Sequence, residues 1–156
     1  MIQRIQSLLL LVAAAISVTI CFITIGDFSF EGRSFEYSAL TLKDTTNNLS
    51  ISTFYVAGLW MLSAILSFVT IFLFKKRPLQ VKFNGINMLV MLSALVVTLY
   101  IYPNMIFPKH LQGFDANMVH FSHWILLSLI PAVCLIFANR AIKSDEKKVR
   151  AADRLR

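Results

Sequence analysis

The sequence predicts an all-α membrane protein: a four-transmembrane-helix bundle with a short β-hairpin in its first outer loop. Three observations carry this expectation. Apolar residues make up 57% of the 156 residues and mean hydropathy is +0.69, above the roughly 45–50% apolar share of a globular domain. These residues form long runs: the only charge between Arg4 and Glu31 is Asp27, and none lies between Asp44 and Lys75. The net charge of +7 collects at the ends of the runs and in the tail, where topology signals belong, which argues against nucleic acid as the partner.

Four spans follow, over residues 7–25, 54–74, 86–102 and 121–142. A run of about 18 or more apolar residues crosses the roughly 30 Å hydrocarbon layer. The third is the shortest, reaching about 26 Å at 1.5 Å per residue. Tyr100 and Tyr102 with Pro103 behind them read as its interfacial stop, and Trp60 and Trp124 read as members of an aromatic belt. Arg4 before an apolar run, with Ala13-Ala14-Ala15 beyond it, has features of a secretory signal. The run continues to Ile25, and Ile20 rather than a small residue precedes Cys21, so span one is expected to remain an uncleaved helix. Cys21 and Cys134 each lie in an apolar span and read as buried thiols.

Orientation follows from the cations. Arg4, the Lys75, Lys76, Arg77 and Lys82 loop, and Arg140, Lys143, Lys147, Lys148, Arg150, Arg154 and Arg156 in the tail are twelve of the fifteen. Arg33, Lys43 and Lys109 fall in the other two connections. The positive-inside rule puts both termini and the middle loop in the cytoplasm. In the first outer loop, Phe28 to Tyr37 alternates aromatic and polar residues around Glu31-Gly32, the period of a hairpin with a tight turn. Thr45-Thr46-Asn47-Asn48 reads as a turn, with a chance sequon at Asn48-Leu49-Ser50. In the second outer loop, Met105, Ile106 and Phe107 are suited to lie on the membrane surface. The tail, 143–156, is expected to continue span four as an amphipathic cytoplasmic helix, with Glu146 and Arg150 four apart and Val149, Ala152 and Leu155 on one stripe.

Chemistry is sparse. No expected span carries Asp, Glu, Lys, Arg or His in its core, and such groups usually mark transport or catalysis inside a bilayer. His110, His120 and His123 are the only candidates for a metal or haem; His120 and His123, three apart, would share a helical face, but only Asp115 stands near to complete a set. Small residues recur at four-residue spacing: Ala13, Ser17 and Cys21; Ser63 and Ser67; Ala94 and Thr98; Ser128 and Ala132. Such faces let helices approach closely, within one bundle or against a partner. Pro131 is expected to kink span four.

The opening Met1-Ile-Gln-Arg-Ile-Gln6 and the closing Ala141-Ile-Lys-Ser-Asp-Glu146 with Val149-Arg-Ala-Ala-Asp-Arg-Leu155 resemble domain-of-unknown-function family 4293, a bacterial group of small four-span membrane proteins. The resemblance implies an inner-membrane helical bundle over nearly the whole chain and brings no catalytic or binding residues with it. In layout alone, four spans with a stranded first outer loop are similar to the claudin architecture, although no claudin motif stands in that loop.

The sequence therefore leads to an expectation of a non-enzymatic accessory or scaffold subunit of a membrane assembly. It needs no cofactor, and its partners are membrane lipids and another membrane protein or a second copy. The alternative is a binder or carrier of a lipid- or quinone-type molecule in a crevice near Pro131.

Overall fold

The computed structural model describes residues 2–45 and 50–153. Residues 46–48 of the expected turn, the sequon's Asn48 and Leu49, Leu155 and the basic Arg154 and Arg156 lie outside them, as do the side chains of Arg4, Lys75, Lys148, Val149, Arg150 and Ala152. The described chain is mostly helical with one small antiparallel sheet. Helix α1 covers Ile2–Ile20, α2 Phe54–Phe72 and α3 Arg77–Val96. A π-helical stretch, Val97–Ile106, then leads into the short α4, Phe107–His110, and α5 runs over Leu129–Asp153. The four long helices close into a ring, α1 touching α2 and α5, and α3 touching the same two.

Three of them are long and apolar enough to cross a membrane: Phe54–Phe72, Arg77–His110 and His123–Lys147. The apolar part of α1 is shorter, Ile5–Ile20. Residues 21–25, expected within its span, instead turn at Cys21 and enter strand β1 at Thr24. The threonine and isoleucines there suit a strand as well as a helix.

Two further boundaries move. Residues 77–85, read as loop on their charges, are the first turns of α3. Pro78 occupies its first turn, where a missing N–H costs nothing and the fixed φ favours the helix. At the other end, Tyr102-Pro103 does not stop the helix. The chain passes through Pro103 by widening to π geometry and resumes α-helix as far as His110.

Pro131, expected to kink span four, is also relocated. It lies in the first turn of α5, after a 3₁₀ stretch over His123–Ser128. A proline there breaks no helical hydrogen bond, and a change of helix type lies just before it.

The hairpin forms and belongs to something larger. Strands β1 (Thr24–Phe30) and β2 (Arg33–Ser38) pair antiparallel around Glu31 and Gly32, both at positive φ, 52° and 74°. That double positive φ is the two-residue turn whose twist matches paired strands. Strands β3 (Thr41–Asp44) and β4 (Ser50–Ser52) extend the sheet on one side. The two-residue β5 (His120–Phe121) joins β1 on the other, giving the order β4-β3-β2-β1-β5. The inward face presents Ile25, Phe28, Phe35, Tyr37 and Leu42, all buried. Phe28 stacks on Phe35 with centroids 5.0 Å apart and meets Phe107 and Phe114 at 5.8 and 4.7 Å. Each such aromatic pair contributes about 0.5–1.5 kcal/mol beyond its buried area. Phe107, expected at a membrane surface, is thus the fully buried centre of the layer joining sheet to helices, while Met105 is exposed.

Candidate functional site

The helix ring buries polar side chains among apolar ones inside and is apolar outside. Along α3 the buried positions are Gln80, Asn84, Asn87, Met91 and Ala94, continuing to Thr98 and Tyr102. Along α1 they are Gln6, Leu10, Ala13, Ser17 and Ile20, and along α2 Val56, Ala57, Trp60, Ser63, Ala64, Ser67 and Thr70. The alternating steps of three and four trace one stripe per helix, the seam of left-handed helix packing. The opposite faces expose Leu8, Leu11, Ile65, Phe68, Phe72, Leu89, Val96, Val133 and Phe137, far more apolar surface than water tolerates in one patch.

The buried polar groups are arranged in pairs across helices. The Asn87 carboxamide on α3 sits between two serines of α2: Ser63 Oγ donates to its Oδ1 at 2.8 Å, and its Nδ2 donates to Ser67 Oγ at 2.7 Å. Serines four apart lie one above the other on a helix, which is the spacing that fits one carboxamide between them. One step along, Asn84 Nδ2 donates to the Leu135 carbonyl of α5 at 3.0 Å, and Gln80 Nε2 to the Thr70 carbonyl at 3.3 Å. Beyond these, Arg77 and Asp145 form an ion pair at 3.2 Å linking α3 to α5.

Toward the sheet, polarity converges on Thr98. Its hydroxyl accepts from Trp60 Nε1 at 3.2 Å and donates to the Ala94 carbonyl at 2.6 Å. The Thr98 carbonyl accepts from the Tyr37 hydroxyl of β2 at 3.2 Å. In a π-helix each carbonyl bonds the N–H five residues on. For Thr98 that residue is Pro103, which has no N–H, so Tyr37 supplies the donor that proline removes. Burial, and then the neighbouring Tyr102, push the Tyr37 phenol well above its ordinary titration range. It remains a neutral donor across the physiological range.

The sequence matches a family model described as Domain of unknown function (DUF4293) over residues 2–155. The chain belongs to this family. No curated protein matches it. Membership fits the resemblance at the two ends of the chain and assigns no activity, so the remaining candidates are judged by where the fold puts them.

Of the small residues singled out on each span, Ala13, Ser17, Cys21, Ser63, Ser67, Ala94, Thr98 and Ser128 are buried, and Ala132 is half-buried. Cys21 is drawn to α2, its Sγ 3.8 Å from the Ala57 carbonyl, and Cys21 and Cys134 are both free and buried. Trp60, expected at an interface, is fully buried, whereas Trp124 and Tyr100 are 64% and 58% exposed. Tyr102 is buried too.

The histidines do not converge. His110 ends α4, His120 lies on β5 and His123 opens the 3₁₀ stretch, so the helical face expected to carry His120 and His123 does not exist. Among the described residues no group of three or more His, Cys, Asp or Glu can hold a metal ion. His120 instead stands opposite Asp27, at the end of an exposed row crossing the sheet through Asp27, Glu36, Lys43 and Ser50. Lys43, paired with Glu36, offsets the like-charge pairing of the two acids. Lys76, Lys82, Arg140, Lys143 and Lys147 are all exposed, around the end of the ring remote from the sheet.

Gln80, Asn84 and Asn87 were missed by the sequence reading. Their signal was spacing: they continue the stripe of Met91, Ala94 and Thr98 back by three and four residues at a time. Polarity masked a periodicity that marks burial as surely as apolar side chains do.

Among the described residues, two roomy apolar clefts open on the outside of the ring. One, of about 360 Å³, lies between α1 and α2 with Ala14, Ala15 and Ala64 among its lining and Leu11, Val18, Met61, Ile65 and Phe68 around them. The other, of about 320 Å³, is lined by Leu99, Phe121, Ile125, Leu126, Ser128 and Leu129. It adjoins Pro131, which does not itself line it.

Proposed function

We propose that all four helices cross a bacterial inner membrane, with the termini and the connection at residues 73–77 in the cytoplasm and the sheet outside. On this reading the protein serves as a non-enzymatic accessory or scaffold subunit of a membrane assembly. The orientation is supported by the cations crowding the ring's end away from the sheet, as the positive-inside rule requires. The apolar stretch of α1, about 24 Å long at 1.5 Å per residue, is accommodated by local thinning of the bilayer.

The alanine-containing cleft between α1 and α2 carries the scaffold reading. Small residues facing out of a bundle admit the backbone of another helix at close range. A second reading rests on the cleft near Pro131, which is apolar and open to the side in the manner of a site for an acyl or isoprenoid chain.

Native mass spectrometry of the protein, extracted in mild detergent, separates them. A stoichiometric protein partner, lost when Ala15 and Ala64 are both replaced by Leu, supports the scaffold. A bare protein with a defined lipid or quinone mass, lost on Ser128→Trp, moves the assignment to the second reading.

A further inference from the structure

The end of the ring remote from the sheet carries far more positive charge than negative. Lys76, Lys82, Arg140, Lys143 and Lys147 are exposed there. The acids among its described side chains are Asp145, bound by Arg77 at 3.2 Å, and the half-buried Glu146. On α5, Arg140, Lys143 and Lys147 follow one another at steps of three and four residues. Like charges at that spacing repel, and an anion against this face relieves the repulsion.

Two of these cations stand on apolar stripes. Lys82 shares the outward face of α3 with Leu79, Ile86 and Leu89, and Arg140 shares that of α5 with Val133 and Phe137; all of these side chains are exposed. Register sets the two cations at one depth. Helices α3 and α5 run antiparallel and are pinned where Arg77 meets Asp145. Lys82 lies five residues past Arg77, and Arg140 five before Asp145, so each is about 7.5 Å inward from the ion pair. A second tie agrees. Asn84, two residues past Lys82, donates to the Leu135 carbonyl at 3.0 Å, and that oxygen points along α5 toward residue 139, the neighbour of Arg140.

A long cationic side chain at the border of a lipid-facing stripe lays its stem on the apolar surface and its charged head at the interface. We propose that the outer faces of α3 and α5 at this end bind anionic phospholipid. Lys82 and Arg140 take lipid phosphates, and acyl chains lie along Ile86, Leu89, Val133 and Phe137. The inference rests on the proposed crossing of the membrane with this end in the cytoplasm. The excess of positive charge selects a net anion over a zwitterion. The apolar residues inward of each cation select an amphiphile over an acidic protein, which would meet Lys143 and Lys147 but stop short of Lys82 and Arg140.

Native mass spectrometry tests this on the whole protein, released from nanodiscs holding equal amounts of phosphatidylglycerol and phosphatidylcholine with the same acyl chains. Retained phosphatidylglycerol should exceed phosphatidylcholine at least about fivefold. Lys82→Gln and Arg140→Gln should each cut that ratio by about threefold to fivefold, and either suffices if the other does not fold. The charge-keeping Lys82→Arg and Arg140→Lys, and Lys43→Gln on the sheet, should leave it unchanged. A ratio near one in the unmodified protein, or the unmodified ratio in both Gln variants, overturns the proposal. Alkaline extraction from pure phosphatidylcholine vesicles reads the crossing separately. Release there overturns the crossing and this proposal together, whereas firm retention without lipid preference overturns this proposal alone.

Discussion

Replacing Tyr37 with Phe tests how the sheet is held to the helices. The substitution keeps the ring, which contacts Phe107 at 5.1 Å and Tyr102 at 6.2 Å, and removes only the hydroxyl. No cavity larger than one oxygen is created in a position that is fully buried. The loss is then that of one hydrogen bond, 3.2 Å to the Thr98 carbonyl. That carbonyl remains buried with no N–H to replace the phenol, since position 103 is proline. An unsatisfied buried acceptor costs about 1–3 kcal/mol, and the expected destabilisation is about 2 kcal/mol on that basis.

The companion change is Pro103→Ala, which restores an N–H in register with the same carbonyl. In the Tyr37→Phe background it should recover about 1 kcal/mol or more, a coupling within the range measured for residues sharing one hydrogen-bonded partner. Denaturation in mixed micelles, followed by the fluorescence of Trp60, reads the cycle, because the Trp60 indole is bonded to the Thr98 hydroxyl at 3.2 Å. Strict additivity of the two changes, or a Tyr37→Phe protein as stable as the parent, would show that Thr98 finds its donor elsewhere and refute the account of Pro103.

Four other outcomes are expected. Gly26→Ala should weaken the β1–β5 pairing by about 1–3 kcal/mol, because its Cβ would stand 3.0 Å from the His120 carbonyl oxygen; Gly58→Ala, where nothing lies within 4 Å, should be neutral or stabilising in the same denaturation assay. Asn87→Leu leaves both serine hydroxyls without their shared partner and should cost about 2–4 kcal/mol, whereas the Ser63→Ala, Ser67→Ala, Asn87→Leu triple variant should recover part of that loss. Stability should fall as pH rises above about 10: the unfolded Tyr37 then ionises while the folded phenol, held neutral by burial, keeps its proton, and Tyr37→Phe should flatten that slope. Arg77→Ala should cost under about 1 kcal/mol, since the Asp145 ion pair is partly exposed.

Legibility in the sequence followed length and periodicity. The β1–β2 hairpin was readable because Phe28, Phe30, Phe35 and Tyr37 alternate with polar residues around Glu31-Gly32 and the turn dipeptide suits positive φ. Strands β3 and β4 have four and three residues, too few to display a period, and β5 has two and exists only because Gly26 lets its backbone approach. The π-helix was unreadable for another reason. A proline after two tyrosines signals an ending unless something supplies the missing donor, and that donor, Tyr37, is sixty-one residues from the Thr98 carbonyl it serves. Gln80 and Asn84 stand among Arg77 and Lys82, where polarity reads as exposure. The opposite holds wherever the surrounding medium is itself apolar.

That inversion explains how the ring and the sheet are stabilised by different forces. In a bilayer, burying a leucine inside the bundle gains little over leaving it against lipid, so helix contacts draw on close approach and hydrogen bonds. The interior accordingly holds Ser63, Ser67, Thr70, Asn84 and Asn87 beside Leu10 and Leu135, while Leu8, Leu11, Leu89, Phe68, Phe72 and Phe137 face outward. The sheet stands beyond the bilayer under the proposed orientation, where water makes apolar burial favourable again. Its inward face is accordingly aromatic and its outward row is Asp27, Glu36, Lys43 and Ser50. Tyr37 belongs to both regimes: its ring packs among the aromatics, and its hydroxyl completes the hydrogen bonding of the helix below. Removing the hydroxyl should therefore uncouple sheet from ring without dissolving either, and the strand amides should exchange with solvent faster in Tyr37→Phe while those of α2 and α5 keep their protection.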